Sequence, residues 1–498
     1  MSLSRSSSQS LSTTPSPQCS RFNLFLARLE HMTFAWFTSC MSLGGIANLL
    51  MARIFDSDIA FGIGAVLFAV NVCYLIALFS LQIVRYTMTP ASLLYTLSHP
   101  IECCFVPTAL LACATAIIGL SNVAGNNSGK AWEVVLRVLF WIYFVASIIV
   151  SLVCYTFLFS RAEQSLHHMN PAWVLPIFPA MLCGTIASSV VPMQSPSAAL
   201  AIAVCGLTCQ GLGFIVSIMM YAVLLLRLMT HSYPPSRARP GLFMNVGPPA
   251  FTIICLLGLS SEMQRILPAL SSSVSLPANS YEILSVTALA ASVLLWSLSA
   301  WFYLFTVASL IDVMLSKKKR GEMEFILAWW ACVFPVSGFV LATQELGEAF
   351  NSTAINVVAQ CMLVWLVIVF VMVAVMHARA VIRGTIMKDG VDEDRVIDTM
   401  YGRFEPAATT HDVEKAQEEQ QQQQQRIKQH SPYSNPPTYP STPAASVSRL
   451  DMKKPEHAQR DSDDDIDAIQ PLPPASSSSG TSTPWSSQLK MTPLSVVS

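Results

Sequence analysis

Trp330, Phe334 and Gly338 recur at a spacing of four within the uncharged stretch WWACVFPVSGFV, residues 329–340, and Pro335 stands beside the phenylalanine. Residues four apart share one face of a helix. A proline inside the helix removes a backbone hydrogen bond and kinks the axis. The chemistry open to this set is not bond-making. An apolar ring brought onto the axis of a narrow path blocks hydrated ions, and Gly338 would leave it room to swing; the same ring can also be ordinary packing. Further prolines punctuate other apolar stretches: Pro107, then Pro171, Pro176 and Pro179, then Pro248 and Pro249, while Gly44-Gly45 falls in the first stretch. Each proline places a new half-helix behind it, with proline near the first turn where it is favoured. The N-terminal end of a half-helix carries partial positive charge and unpaired N–H groups. Several such ends around one axis favour an anion without any buried Arg or Lys.

Other chemistries find little support. The apolar stretches contain no HExxH, no GxGD and no paired carboxylates, so an enzyme is not expected. Of 13 cysteines, all but Cys19 fall in apolar stretches and none forms a CxxC pair, which favours packing over metal or redox roles. No cofactor, metal or nucleic-acid partner is expected.

The elements that must position these residues are membrane helices. Charged residues make up 12% of the 498 and the mean hydropathy is +0.50, against about 25% charged in a soluble domain. Apolar runs long enough to cross a ~30 Å hydrocarbon core recur ten times, at about 32–52, 60–83, 101–121, 134–158, 171–191, 198–225, 243–260, 283–309, 325–345 and 354–376. Lipid leaves no water for unpaired backbone groups, so all are expected to be helices. The prolines lie in odd spans and the even spans have none in their interiors. Irregular backbone at membrane depth is tolerated where protein buries it or where it lines a cavity. The expected fold is therefore all-α, ten transmembrane helices as five helical hairpins around a central pore, with kinked odd helices inside.

Three regions follow: a disordered Ser-rich tail at 1–27, a ten-helix domain at 28–376, and a disordered tail at 377–498 with QEEQQQQQQ and DSDDDID tracts that cannot build a core. Basic residues near span ends are uneven. One side holds Arg5, Arg21, Arg28, Arg85, Arg161, Arg227, Arg237, Arg239, Lys317, Lys318, Lys319, Arg320, Arg379, Arg383 and Lys388; the other holds Arg53, Lys130, Arg137 and Arg265. The richer side, with both termini, is expected in the cytosol. Possible glycosylation sites at Asn126 and Asn351 fall on the opposite side.

Four stretches resemble the tellurite-resistance/dicarboxylate transporter family, and within it the fungal malic acid transport proteins: RLEHMTFAWFTSCMSLGGIANLL (28–50), NPAWVLPIFPAMLCGTIAS (170–188), RPGLFMNVGPPAFT (239–252) and LAWWACVFPVSGFV (327–340). The plant slow-type guard-cell anion channel is of the same superfamily and carries a similar W-W…F-P stretch. The resemblance implies a pore closed by a phenylalanine on the ninth helix, which falls on Phe334, with Phe105 a weaker match to a second pore-facing aromatic. It implies a plasma-membrane homotrimer with one pore per subunit, embedded in the lipid bilayer and carrying C4-dicarboxylate anions such as L-malate and succinate, or alternatively sulfite or another small anion. His31 matches the family's L-x-H-F-T pattern at the cytosolic mouth and is the candidate partner for protons. Asn245 stands where the family has a large apolar residue; near the Pro248-Pro249 break it would either donate to a carboxylate or satisfy a freed carbonyl.

Overall fold

The computed structural model describes residues 29, 31–99, 101–125, 129–160, 166–271, 277, 279–321 and 323–387, all within the first of two compact units, Met1–Glu414. Among the described residues there is helix and no strand, with ten spans long and apolar enough to cross a membrane. Each overlaps one of the ten stretches read from the sequence. We label their α-helices α1 (Phe37–Met51), α2 (Asp58–Met88), α3 (Thr108–Ala124), α4 (Lys130–Ser160), α5 (Phe178–Val190), α6 (Pro196–His231), α7 (Gly247–Ser271), α8 (Ser280–Leu315), α9 (Phe334–Ala349) and α10 (Thr353–Arg383).

The even helices run 31 to 36 residues, roughly 46–54 Å at 1.5 Å per residue. That exceeds the hydrocarbon core, so their ends project beyond it. The sequence-read stretches were shorter because hydropathy marks only the apolar part of a helix. The odd spans are broken. Each enters as a 3-10 or short helical segment (Phe34–Trp36, Glu102–Phe105, Pro171–Ile177, Ser236–Val246, Leu327–Cys332) before its α-helix begins. The cause is local in four of the five. Pro335 and Pro179 are the second residues of α9 and α5, Pro248 and Pro249 the second and third of α7, and Pro107 caps α3. Pro176 and Pro240 lie inside the 3-10 segments themselves. None of these rings could sit in the interior of an unbroken helix without losing a hydrogen bond.

Burial separates the two sets. The most apolar windows of the odd spans are 67–94% buried, and those of the even spans 17–28%. Every odd helix contacts the even helix that follows it. Odd helices also contact each other in sequence, α1 with α3, α3 with α5, α5 with α7, α7 with α9, and α9 with α1. Those five contacts close on themselves. Small residues permit the close approaches: a Cβ at Gly213 of α6 would meet Met181 of α5 at 2.5 Å, and one at Gly206 would meet Ala187 at 2.5 Å. Such positions pack helices where no hydrophobic force from water drives them together.

One ionic anchor was not read from the sequence. Arg85 at the end of α2 is 5% exposed and pairs with Glu102, 2% exposed, at 3.3 Å. Arg85 also donates to the Met32 carbonyl at 2.6 Å, and Glu102 accepts from Thr96 Oγ1 at 2.9 Å. The pair ties the entry segments of the first and third spans to α2.

Candidate functional site

Phe334 is the first residue of α9, set there by Pro335 behind it. The ring is 3% exposed. It stacks on Phe251 of α7 at 5.2 Å between centroids and 28° between planes, and meets Phe178 of α5 at 6.3 Å and 61°. Phe178 and Phe251 are themselves edge to face at 5.9 Å. Three helices thus each supply a ring at or just after their breaks. Aromatic pairs in these geometries add about 0.5–1.5 kcal/mol beyond their buried area.

Two cavities meet at this cluster. The first is lined by Thr38, Met41, Leu111, Val174, Leu175, Phe178, Met244, Leu327, Ala331, Phe334 and Pro335 and holds about 10 Å³, room for no more than a single water. The second, about 50 Å³, is lined by residues including Gly45, Asn48, Thr115, Thr185, Phe251, Phe334 and Ser337. Both linings draw on all five odd spans and on no even one, and Phe334 alone belongs to both. Each odd span gives its earlier residues to the first cavity and its later residues to the second, so all five run in the same direction. The linings contain hydroxyls and one amide but no charged side chain.

The other sequence-read residues fall in different places. Gly45 lines the second cavity, where a Cβ would meet Ser337 Oγ at 2.7 Å and Phe334 Cδ2 at 3.6 Å. Gly44 instead turns to α3 and α2, where a Cβ would collide with Thr115 Oγ1 and meet Asn71 Nδ2 at 2.8 Å. Gly338 lines the second cavity, but the space it leaves is filled by Phe251, whose ring carbons lie 2.8–3.0 Å from a Cβ built there. The expected room for Phe334 to swing is therefore already taken. Trp330 does not share the Phe334 face. It belongs to the 3-10 segment, whose repeat is 3.0 residues, and the break at Val333 resets the register. Its Nε1–H donates to His377 Nδ1 of α10 at 3.3 Å; Leu327 and Ala331 take its expected place along the cavity.

Asn245 is 2% exposed and lines neither cavity. Its Nδ2 donates to the Leu242 carbonyl at 2.9 Å, and its backbone carbonyl accepts from Tyr221 Oη at 2.9 Å. The side-chain nitrogen is therefore turned to backbone of its own 3-10 segment rather than to either cavity. Phe105 is buried at the end of the segment before Pro107, outside both linings. His31 is half-buried ahead of the first 3-10 turn. Asn351 is exposed in the left-handed region, φ 49°, in the turn between α9 and α10; Asn126 lies outside the described residues. Sequence reasoning missed Phe178 and Phe251. A signal for the first was present, because Phe178-Pro179 repeats the Phe334-Pro335 pair.

Comparison with known proteins bears on what such a site serves. Residues 31–378 match the SLAC1 family of voltage-dependent anion channels. A putative malic acid transport protein of Schizosaccharomyces pombe is 33% identical over 373 residues, 75% of this chain and 84% of the relative. The malic acid transport protein of the same yeast is 30% identical, over 74% of this chain and 82% of its own length. A sulfite efflux pump of Trichophyton rubrum is 25% identical, over 66% and 86%.

Proposed function

The chain belongs to the voltage-dependent anion channel family, and from that premise we propose that it carries C4-dicarboxylate anions, L-malate and succinate among them, across the plasma membrane along the axis of its five odd spans, with Phe334 as the occluding group. The observation that carries the reading is the place of Phe334 in both cavity linings. Withdrawing one ring would join the two spaces. The half-helix starts at Thr108, Phe178, Gly247 and Phe334 supply partial positive charge toward that axis. A path without fixed cations then attracts an anion without trapping it, as conduction requires.

The substrate class rests on the relatives named for malic acid transport, which are nearer in sequence than the sulfite pump. In this reading the five odd–even pairs are hairpins around the pore, three chains assemble with one pore each, and both termini are cytosolic. His31 stands at the cytosolic mouth, and Phe105 and Pro107 mark the entry of the third span. Purified protein in vesicles, with pH and voltage set separately, should pass labelled malate and succinate. Passage of sulfite with no dicarboxylate flux would replace this substrate class.

A further inference from the structure

A third cavity, of about 470 Å³, opens at the C-terminal end of α10, apart from the two that meet at Phe334. Its walls change character along the helix. Met376 and Ala380, with Phe325 from just ahead of the ninth span, form the apolar part; Arg379 and Arg383 line the rest. Residues three and four apart share one face of a helix, so the four from α10 form a single stripe, apolar at its deeper end and basic at its outer end.

The two arginines have no counter-ion. Among the described residues neither forms an ion pair or a hydrogen bond, and Glu324, the acid on this lining, is held by Arg237 at 2.9 Å. Nor do they close the helix. Gly384 N–H donates to the Val381 carbonyl at 3.1 Å, and Thr385 N–H and Oγ1 donate to the Ala380 carbonyl at 3.0 and 3.2 Å. Gly384 is left-handed, φ 62°, as is usual where a helix ends this way. Two like charges four apart on a helix repel. An anion between them reverses the sign, and the planar guanidinium fork suits phosphate oxygens. The surroundings point to lipid as the source of the phosphate. The outer face of α10 stays apolar to the level of the cavity, with Val375 46% exposed and Ile382, beside Arg383, 83% exposed. Basic pockets between membrane helices suit lipid head groups.

We infer that this cavity binds the headgroup of an anionic phospholipid through a phosphomonoester that bridges Arg379 and Arg383, with the start of the acyl chains lying on Phe325 and Met376. A phosphomonoester carries roughly −1.5 to −2 charges at pH 7, which matches two guanidiniums better than the single charge of a phosphodiester. The cavity is larger than a bare phosphate needs and leaves room for the rest of the headgroup. Binding of this kind does not depend on which side of the membrane this end faces, or on what the pore carries.

Two lipids that differ by the phosphomonoester test this. Dioctanoyl phosphatidylinositol monophosphate and dioctanoyl phosphatidylinositol are titrated into the full chain in a neutral detergent. Thermal unfolding reads their binding, because a ligand that binds the folded state raises the melting temperature. The phosphorylated lipid should reach half-maximal stabilisation at a concentration at least about tenfold lower, as charge-assisted hydrogen bonds to two arginines warrant. In Arg379→Gln/Arg383→Gln that ratio should fall below about twofold. Both side chains are exposed, so without lipid the variant should melt close to wild type. Equal binding of both lipids by the wild-type chain overturns the inference, and so does a ratio that survives in the variant. The wild-type comparison stands even where the variant does not fold. Free inositol bisphosphate, the same headgroup without chains, should bind at least about tenfold more weakly than the phosphorylated lipid, for want of the apolar contacts. Equal binding would make the ligand a soluble phosphate and overturn the lipid assignment. Binding that appears only after truncation near residue 390 would give the cavity to the acidic DSDDDID tract and overturn it as well.

Discussion

Replacing Phe334 by alanine removes the group that stands between the two cavities. Its ring is held by a stacked contact to Phe251 at 5.2 Å and an angled one to Phe178 at 6.3 Å. A buried Phe→Ala costs about 3–5 kcal/mol in a soluble core. If opening withdraws the ring from those contacts, that cost falls on the closed state alone. At about 1.4 kcal/mol per factor of ten, even ~3 kcal/mol moves the open-to-closed ratio by roughly 150-fold. Conductance per molecule of Phe334→Ala should therefore rise by one to two orders of magnitude, with helix content and yield close to wild type. Phe339→Ala is the control. Phe339 is equally buried, but it packs on Trp296 at 5.5 Å and Tyr303 at 6.0 Å of α8, and lines neither cavity. It should lose stability and gain no conductance. Planar-bilayer recording, with protein counted by quantitative immunoblot, makes the comparison. Loss of flux at both positions with falling yield would refute the gate and make Phe334 a packing residue. A new leak with lost uptake at Phe334 alone would mark a coupled carrier occluded by the same ring.

Gly338→Ala puts a Cβ 2.8–3.0 Å from the Phe251 ring, an overpacking worth about 1–3 kcal/mol; pressed against Phe334, that ring should lower flux, and Phe251→Leu in the same chain should restore part of it. Glu102→Gln leaves the buried Arg85 charge without its counter-ion, so thermal stability should drop by about 3–5 kcal/mol, read as a lower melting temperature and less folded protein. Tags on both termini should resist external protease in sealed cells, because the termini share the side richer in Arg and Lys, proposed to be cytosolic; cleavage of a C-terminal tag from outside would remove the proposed topology. Truncation near residue 390 should leave flux per surface molecule unchanged, because the composition beyond it cannot build part of a pore.

The ten spans were legible because membrane helices announce themselves by apolar length. So was the division into odd and even, because proline has few places to go in a helix. The break itself hid what came next. Trp330 and Phe334 are four apart, and in one helix they would share a face. The chain is a 3-10 segment up to Cys332 and an α-helix from Phe334, so the periodicity that joins them on paper is interrupted between them. The room expected beside Gly338 was misread for a related reason. A glycine shows that something comes close, but the partner is Phe251, 87 positions earlier on another helix, and sequence spacing carries no trace of that contact. Asn245 shows the same limit: two chemistries fitted the residue type, and the carbonyl of Leu242 three positions back is what it meets. The Arg85–Glu102 pair was hidden because both residues sit at helix ends, where charged side chains are normally solvated.

An uncharged path also bears on the direction of transport. Moving one charge through 100 mV is worth about 2.3 kcal/mol, and a dianion therefore about 4.6. Against a cytosol at −100 mV, a dianion enters only when it is roughly 2,000-fold more concentrated outside, whereas a monoanion needs roughly 40-fold. The two linings hold no cation that would neutralise a second charge. A dianion would also have to desolvate both carboxylates among hydroxyls and backbone dipoles. Protonating one end removes half of the electrical work and one of the two desolvated charges. Under the proposed function the same path would favour export of the dianion from a neutral cytosol and entry of the monoanion from an acid medium, with no change in the protein. On that reading direction is set by which species the pH on each side makes abundant, and the proposed Phe334 gate would set only when either can pass.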